Sequence, residues 1–183
     1  MKKTIVLLAV ATAFIMSCGT NANKTEGTTG ENNMSDTTMA ESKTERNKKV
    51  VMASMEAMMA KNIDQVLKDV APDVVDYNDG SMPAMKGKDT IMKMMNTWLT
   101  AFPDNKGNDL KYVADGDWVM VWGEWTGTWK GDFMGMKATN KTYKVKDVDI
   151  FKLNDAGQIV EHHNVQSPNT MMMQVGMAPP KKK

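Results

Sequence analysis

The spacing of apolar residues changes once along the chain, at Pro103, and that change limits the folds available to it. Before Pro103 the spacing is helical. In NKKVVMASMEAMMAKN, Val51, Met55, Met58 and Met59 fall at i, i+4, i+7 and i+8 on one face. Asn62 and Gln65 have the spacing of a capping box, and IDQVLKDVA is expected as a second helix stopped by Pro72. DVVDYND, short and β-branched, is expected as a strand, and after it KGKDTIMKMMNTWLTAF places Ile91, Met94, Met95, Trp98 and Phe102 on the face of a third helix. Beyond Pro103, DLKYVAD, DWVMVWGEWTGTW, KTYKVKDVDIFKL and GQIVEHHNVQ are rich in Val, Ile, Tyr and Trp and are separated by turn residues. They are expected as strands of an antiparallel sheet. Helices first and strands afterwards predict an α+β domain.

The termini lie outside that domain. Lys2 and Lys3 precede an apolar run from Ile5 to Met16, the layout of a secretory signal over residues 1–17. The run is too short for a good membrane-spanning helix. The only cysteine, Cys18, follows at once, so no internal disulfide is possible. I-M-S-C resembles the lipobox of bacterial lipoproteins. That resemblance implies cleavage before Cys18, lipid on its sulfur, and a chain held to a membrane of the bacterial cell envelope. Residues 18–45 are Thr, Asn, Gly, Ser and Glu with almost nothing to bury, and are expected as a disordered tether. Residues 46–177 suffice for one domain with a core, and 178–183 form a basic tail. Removing Lys2 and Lys3 takes the formal charge from +1 to −1, which argues against nucleic acid as a partner.

The two histidines, His162 and His163, stand side by side in VEHHNVQ. If Leu153 and Gln158 pair across the turn Asn154–Gly157, Asp149 lies opposite His162 and Asp147 opposite Asn164. Alternation then puts Tyr143, Val145, Asp147, Asp149, Phe151 and Leu153 on one face with Val160, His162, Asn164 and Gln166, and turns His163 to the other. A one-residue slip would reverse this. The arrangement removes the easiest metal pair, and no metal is expected. The twenty methionines, clustered at Met58–Met59, Met94–Met95 and Met171–Met173, fall mostly on helical faces, where they fill space as leucine does.

APDVVDYND, AFPD and WTGTWKGDFMGMKATNKTYKVKDVDIFKLNDAGQIVEHHNVQ resemble the SnoaL-like polyketide cyclase or ester cyclase group of the nuclear transport factor 2-like superfamily. The resemblance runs from about Lys49 to Gly176. It implies a cone-shaped, strongly bent antiparallel sheet wrapped by three N-terminal helices around an apolar pocket. It also implies dimers formed through the sheet. In the cyclases a last-strand aspartate is the acid/base of a cofactor-free aldol closure. That position holds Asn164 here, and an amide does not exchange a proton near neutral pH. The matched histidine is His162. Another pocket position falls on Asp149, and Asp76, Tyr77 and Asn78 lie where the first strand enters the pocket. The mouth-loop P-P-T reads Lys137-Ala138-Thr139. Trp98, Trp122, Trp125 and Trp129 are expected in the core or the cone wall, with Trp98 and Trp125 on the pocket side.

Three readings stand open. One is an anchored pocket domain, needing no cofactor, that binds a small apolar or carbonyl-containing molecule such as an acyl, polyketide or steroid-like compound. Another is a cofactor-free lyase or isomerase with His162 as base and Asp149 as its orienting group, a carboxylate that would fix the tautomer and raise the ring's pKa. The third is a non-catalytic dimerisation or scaffold module.

Overall fold

Ser42 opens the first helix by accepting a hydrogen bond from Glu45 N–H at 3.2 Å, in the capping-box sequence Ser42-Lys43-Thr44-Glu45. The computed structural model describes residues 41–166 and 168–177. The proposed signal, Cys18, most of the tether and the basic tail lie outside the described residues. The tether was expected to reach residue 45, but helix α1 (Lys43–Met59) begins inside that segment, because the cap supplies a start signal that polar composition alone hides. Val51 and Met55 on α1 are buried in the core, with Asn47 beside them donating to the Gly116 carbonyl at 2.9 Å.

Helix α2 (Ile63–Val66) is capped by Asn62, whose side chain accepts from Gln65 N–H at 3.1 Å. It is much shorter than expected. Pro72 does not stop it; it lies within strand β1 (Val70–Asp76). There the pairing with the neighbouring strand is irregular between Val70 and Val75, so the missing N–H leaves no ladder bond unmade. Strand β2 (Met85–Lys86) and helix α3 (Lys88–Ala101) follow. Strands β3 (Lys106–Asp115), β4 (Trp118–Thr128), β5 (Thr142–Leu153) and β6 (Ile159–Asn164) complete a six-stranded sheet in the order β2-β1-β6-β5-β4-β3. All neighbours are antiparallel except β1 and β6, which run parallel, against the wholly antiparallel expectation. The result is an α+β domain with a curved, unclosed sheet and N-terminal helices.

A fourth helix, α4 (Pro168–Val175), was not anticipated. It ends in a Schellman motif: Gly176, at φ +78°, donates to the Met173 carbonyl and Met177 donates to the Met172 carbonyl. Met171 and Val175, four apart, are buried against Phe102, Trp129 and Tyr143 in a second core cluster. The G-T-W-K-G-D-F stretch closes that cluster. A β-carbon on Gly131 would stand 2.6 Å from the Thr100 carbonyl oxygen, so only glycine lets Lys130 and Gly131 donate to the Ala101 carbonyl.

The β5–β6 register differs from the expected one by two residues. The Asn154 N–H donates to the Gln158 carbonyl, and the Gln158 N–H to Asn154 Oδ1, so Asn154 rather than Leu153 closes the turn. Leu153 pairs with Ile159 but Lys152 with Glu161, which leaves Val160 as an extra, bulged residue. Each irregularity shifts the register by one. Together they preserve parity, so His162 keeps the expected face while its opposite neighbour becomes Phe151, and Asp149 faces Asn164.

Candidate functional site

The inner face of the sheet and the helices enclose a cavity of about 400 Å³. Its apolar part explains why α3 buries so little: Ile91, Met94, Met95 and Trp98 wall a space instead of packing against a neighbour. Nine methionines line it: Met55 and Met58 from α1, Met82 and Met85 around β2, Met94 and Met95 from α3, Met134, and Met171 and Met172 from α4. Unbranched thioether side chains adapt their shape and are polarizable, so such a wall accommodates rather than templates its contents. Trp125 on β4 and Phe133 and Tyr143 add aromatic faces. Trp122, expected in the core or wall, is 45% exposed on the outer face, because β4 alternates strictly and Val121 and Gly123 take the inner positions.

One end of the cavity is polar. It is built where β1, β6 and β5 lie side by side, and holds Asp76, His162, Asn164, Asp149 and Asp147. His162 sits between two carboxylates, with Nδ1 3.0 Å from Asp76 Oδ1 and Nε2 3.4 Å from Asp149 Oδ1. Asp76 also accepts from the Asn78 N–H at 2.9 Å. Asn164 donates to Asp149 Oδ1 at 2.7 Å and more weakly to Asp147 Oδ2 at 3.4 Å. Asp147 Oδ1 accepts from the N–H groups of Gln166 and Val148, both at 2.7 Å. The chain Asp76–His162–Asp149–Asn164–Asp147 is therefore continuous. Asp149 Oδ2 is nevertheless buried with no donor among the described residues, and Trp125 Nε1 is buried with no acceptor among them.

Burial disfavours the charged form of His162, but the bonds to Asp149 and Asp76 outweigh it and the pKa is pushed up to about 10. Held between two carboxylates the ring favours the imidazolium, which has no lone pair to take a proton. The two contacts favour a held cation over the general-base role expected for His162. Burial alone would raise Asp76, yet its bond to His162 holds the carboxyl below the usual range. Asp147 is raised, first by burial and then by the charge of Asp149, against the backbone N–H of Gln166.

Of the residues singled out from sequence, Asp76, Asp147, Asp149, His162, Asn164, Trp98 and Trp125 line the cavity. Tyr77 does not. It is 40% exposed and stacks on His163 at 4.8 Å on the opposite side of the sheet, because it adjoins Asp76 and adjacent strand residues cannot face the same way. His163 also approaches Glu161 Oε2 at 3.5 Å. Asp76 was recognised as a pocket residue but not as the nearer partner of His162. The methionine lining was missed because helical spacing identifies a buried face without telling whether protein or space lies against it.

The sequence model of the SnoaL-like polyketide cyclase family matches residues 48–175. A search of the curated proteins finds no match. Among solved structures, a Xanthomonas campestris pv. campestris protein assigned as a polyketide cyclase superposes with a TM-score of 0.67 at 22% identity, covering 73% of this chain and 99% of that one. A SnoaL-like protein from Jannaschia sp. CCS1 gives 0.65 at 22% identity, with 74% and 94% covered. A protein of ketosteroid isomerase-like fold from Catenulispora acidiphila gives 0.58 at 16% identity, with 70% and 93% covered. At these identities the likeness carries the fold alone.

Proposed function

The chain belongs to the SnoaL-like polyketide cyclase family, and from that premise we propose that it is a lipid-anchored protein of the bacterial cell envelope that binds a small, largely apolar molecule in its cavity. The observation that carries this reading is the space of about 400 Å³ lined by nine methionines and by aromatic rings, closed at one end by a polar cluster. A few convergent polar groups in an apolar chamber are the usual make-up of a small-molecule site. Titration with 1-decanol, followed through Trp98 and Trp125 fluorescence, tests it. Saturable binding that Met95→Trp abolishes by filling the space supports the reading; no saturable change, or binding indifferent to that variant, refutes it.

A second reading, cofactor-free acid–base chemistry, is favoured by one observation: Asp149 lines the cavity and its Oδ2 is buried without a donor. In this reading Asp149 is the base, taking a proton from carbon next to a carbonyl, and His162 positions it. Solvent deuterium incorporation into 2-decanone is the check. Incorporation lost in Asp149→Asn and kept in His163→Gln is expected, and equal rates in all three proteins sink the idea.

The anchor and the dimer belong to the same proposal. Replacing Cys18 with Ser should move the exported protein out of the detergent phase; unchanged partitioning would place the anchor elsewhere. A dimer through the sheet is supported by the exposed outer-face residues Val113, Met120 and Trp122, with Met120 paired to Val113 and to Ile150 across the strands. Light scattering should give twice the chain mass for the parent and the monomer mass for Trp122→Lys; a monomeric parent contradicts it.

A further inference from the structure

We infer that the molecule held in this cavity carries a cationic, hydrogen-bond-donating head, a protonated amine, at the Asp147–Asp149 end, with its apolar body along the methionine wall; this rests on the binding reading above. The charged groups lining the cavity are Asp76, Asp147, Asp149 and His162, and no Lys or Arg lines it among the described residues. The His162 charge is spent between Asp76 and Asp149. With all three carboxylates ionised the polar end keeps two net negative charges, and with Asp147 protonated it keeps one. Low-polarity walls lengthen the reach of that field.

Hydrogen bonding points the same way. Asp149 Oδ2 is a buried acceptor without a donor among the described residues, which is unfavourable unless a ligand supplies one. Within the cluster the side-chain donors are already engaged: both His162 nitrogens point to carboxylates, and Asn164 Nδ2 to Asp149 and Asp147. A ligand carbonyl or carboxylate would therefore meet acceptors and negative charge here. Among the described residues that line the cavity, the buried donor lacking an acceptor is Trp125 Nε1, on the wall, so an acceptor group of the ligand fits at Trp125 and not within the carboxylate cluster.

Three ten-carbon probes differing only in the head group test this: 1-decylamine, 1-decanol and decanoate, titrated below micelle formation into the full chain at pH 7 and low salt. Decylamine should bind about tenfold more tightly than decanol, and decanoate most weakly. Asp149→Asn should erase most of decylamine's advantage over decanol. Asp147→Asn, which touches no bond of His162, is the second variant and should reduce it in the same direction. Decanoate binding as tightly as decylamine overturns the inference. So does decanol binding as tightly as decylamine, although the cavity reading would then stand. Binding of none of the three rejects the cavity reading and this inference with it.

Discussion

His162 and Asp76 meet at 3.0 Å across the one parallel pairing in the sheet, where the two residues are also partners in the β1–β6 register. The contact changes the chemistry of the site. With Asp149 alone the imidazole would be a base held by an orienting carboxylate. With carboxylates on both nitrogens it is a cation held in place, and Asp149 is the group with a free, buried oxygen.

Histidine titration by NMR should therefore find His162 charged through neutral pH, with its pKa near 10. Asp76→Asn and Asp149→Asn should each bring it down, and the double variant should bring it down further, because burial then acts alone. A His162 ring already neutral at pH 7 in the parent would remove the argument for a fixed cation.

Stability should carry the same signature. The folded-state pKa of His162 lies above its ordinary value of about 6.5, so its contribution is full below pH 6.5 and is lost as pH rises through 10. Asp76 has the opposite sign: its depressed pKa gives a contribution present above the ordinary carboxylate value and lost as pH falls. Melting midpoints of the parent should fall between pH 6.5 and 10 more steeply than those of His162→Gln. Parallel curves for the two proteins would contradict this.

The faces of the strands were legible in the sequence because alternation is local, and parity survived two errors of register. Asn154 closing the turn and Val160 bulging each moved the pairing by one residue, and the two shifts left His162 on the inner face. The parallel contact of β1 with β6 was not legible, since Asp76 and His162 are 86 residues apart and no turn joins their strands. Helix α4 could have been read: Met171, Met172 and Val175 followed by Gly176 is a short apolar face with a stop signal. Its brevity and the Met run left it without an element at the end of the domain.

Gly131→Ala should destabilise the fold by about 1–3 kcal/mol, because the new methyl would lie 2.6 Å from the Thr100 carbonyl and push α3 away from Trp129. Urea unfolding measures it. Gly116→Ala, whose β-carbon meets nothing within 4 Å but whose φ is +53°, separates steric overlap from backbone strain. A smaller loss for Gly131→Ala than for Gly116→Ala would show that the close approach does not matter.

The most direct test of the central claim uses the methionines themselves. With ¹³C-labelled Met methyl groups, adding 1-decanol should shift, saturably and with one binding constant, the signals of the nine that line the cavity, among them Met55, Met95 and Met172. Met120 on the outer sheet face and Met173, both exposed, should stay in place. Shifts confined to Met120 and Met173, or no saturable shift at any lining methionine, would show that the cavity does not bind.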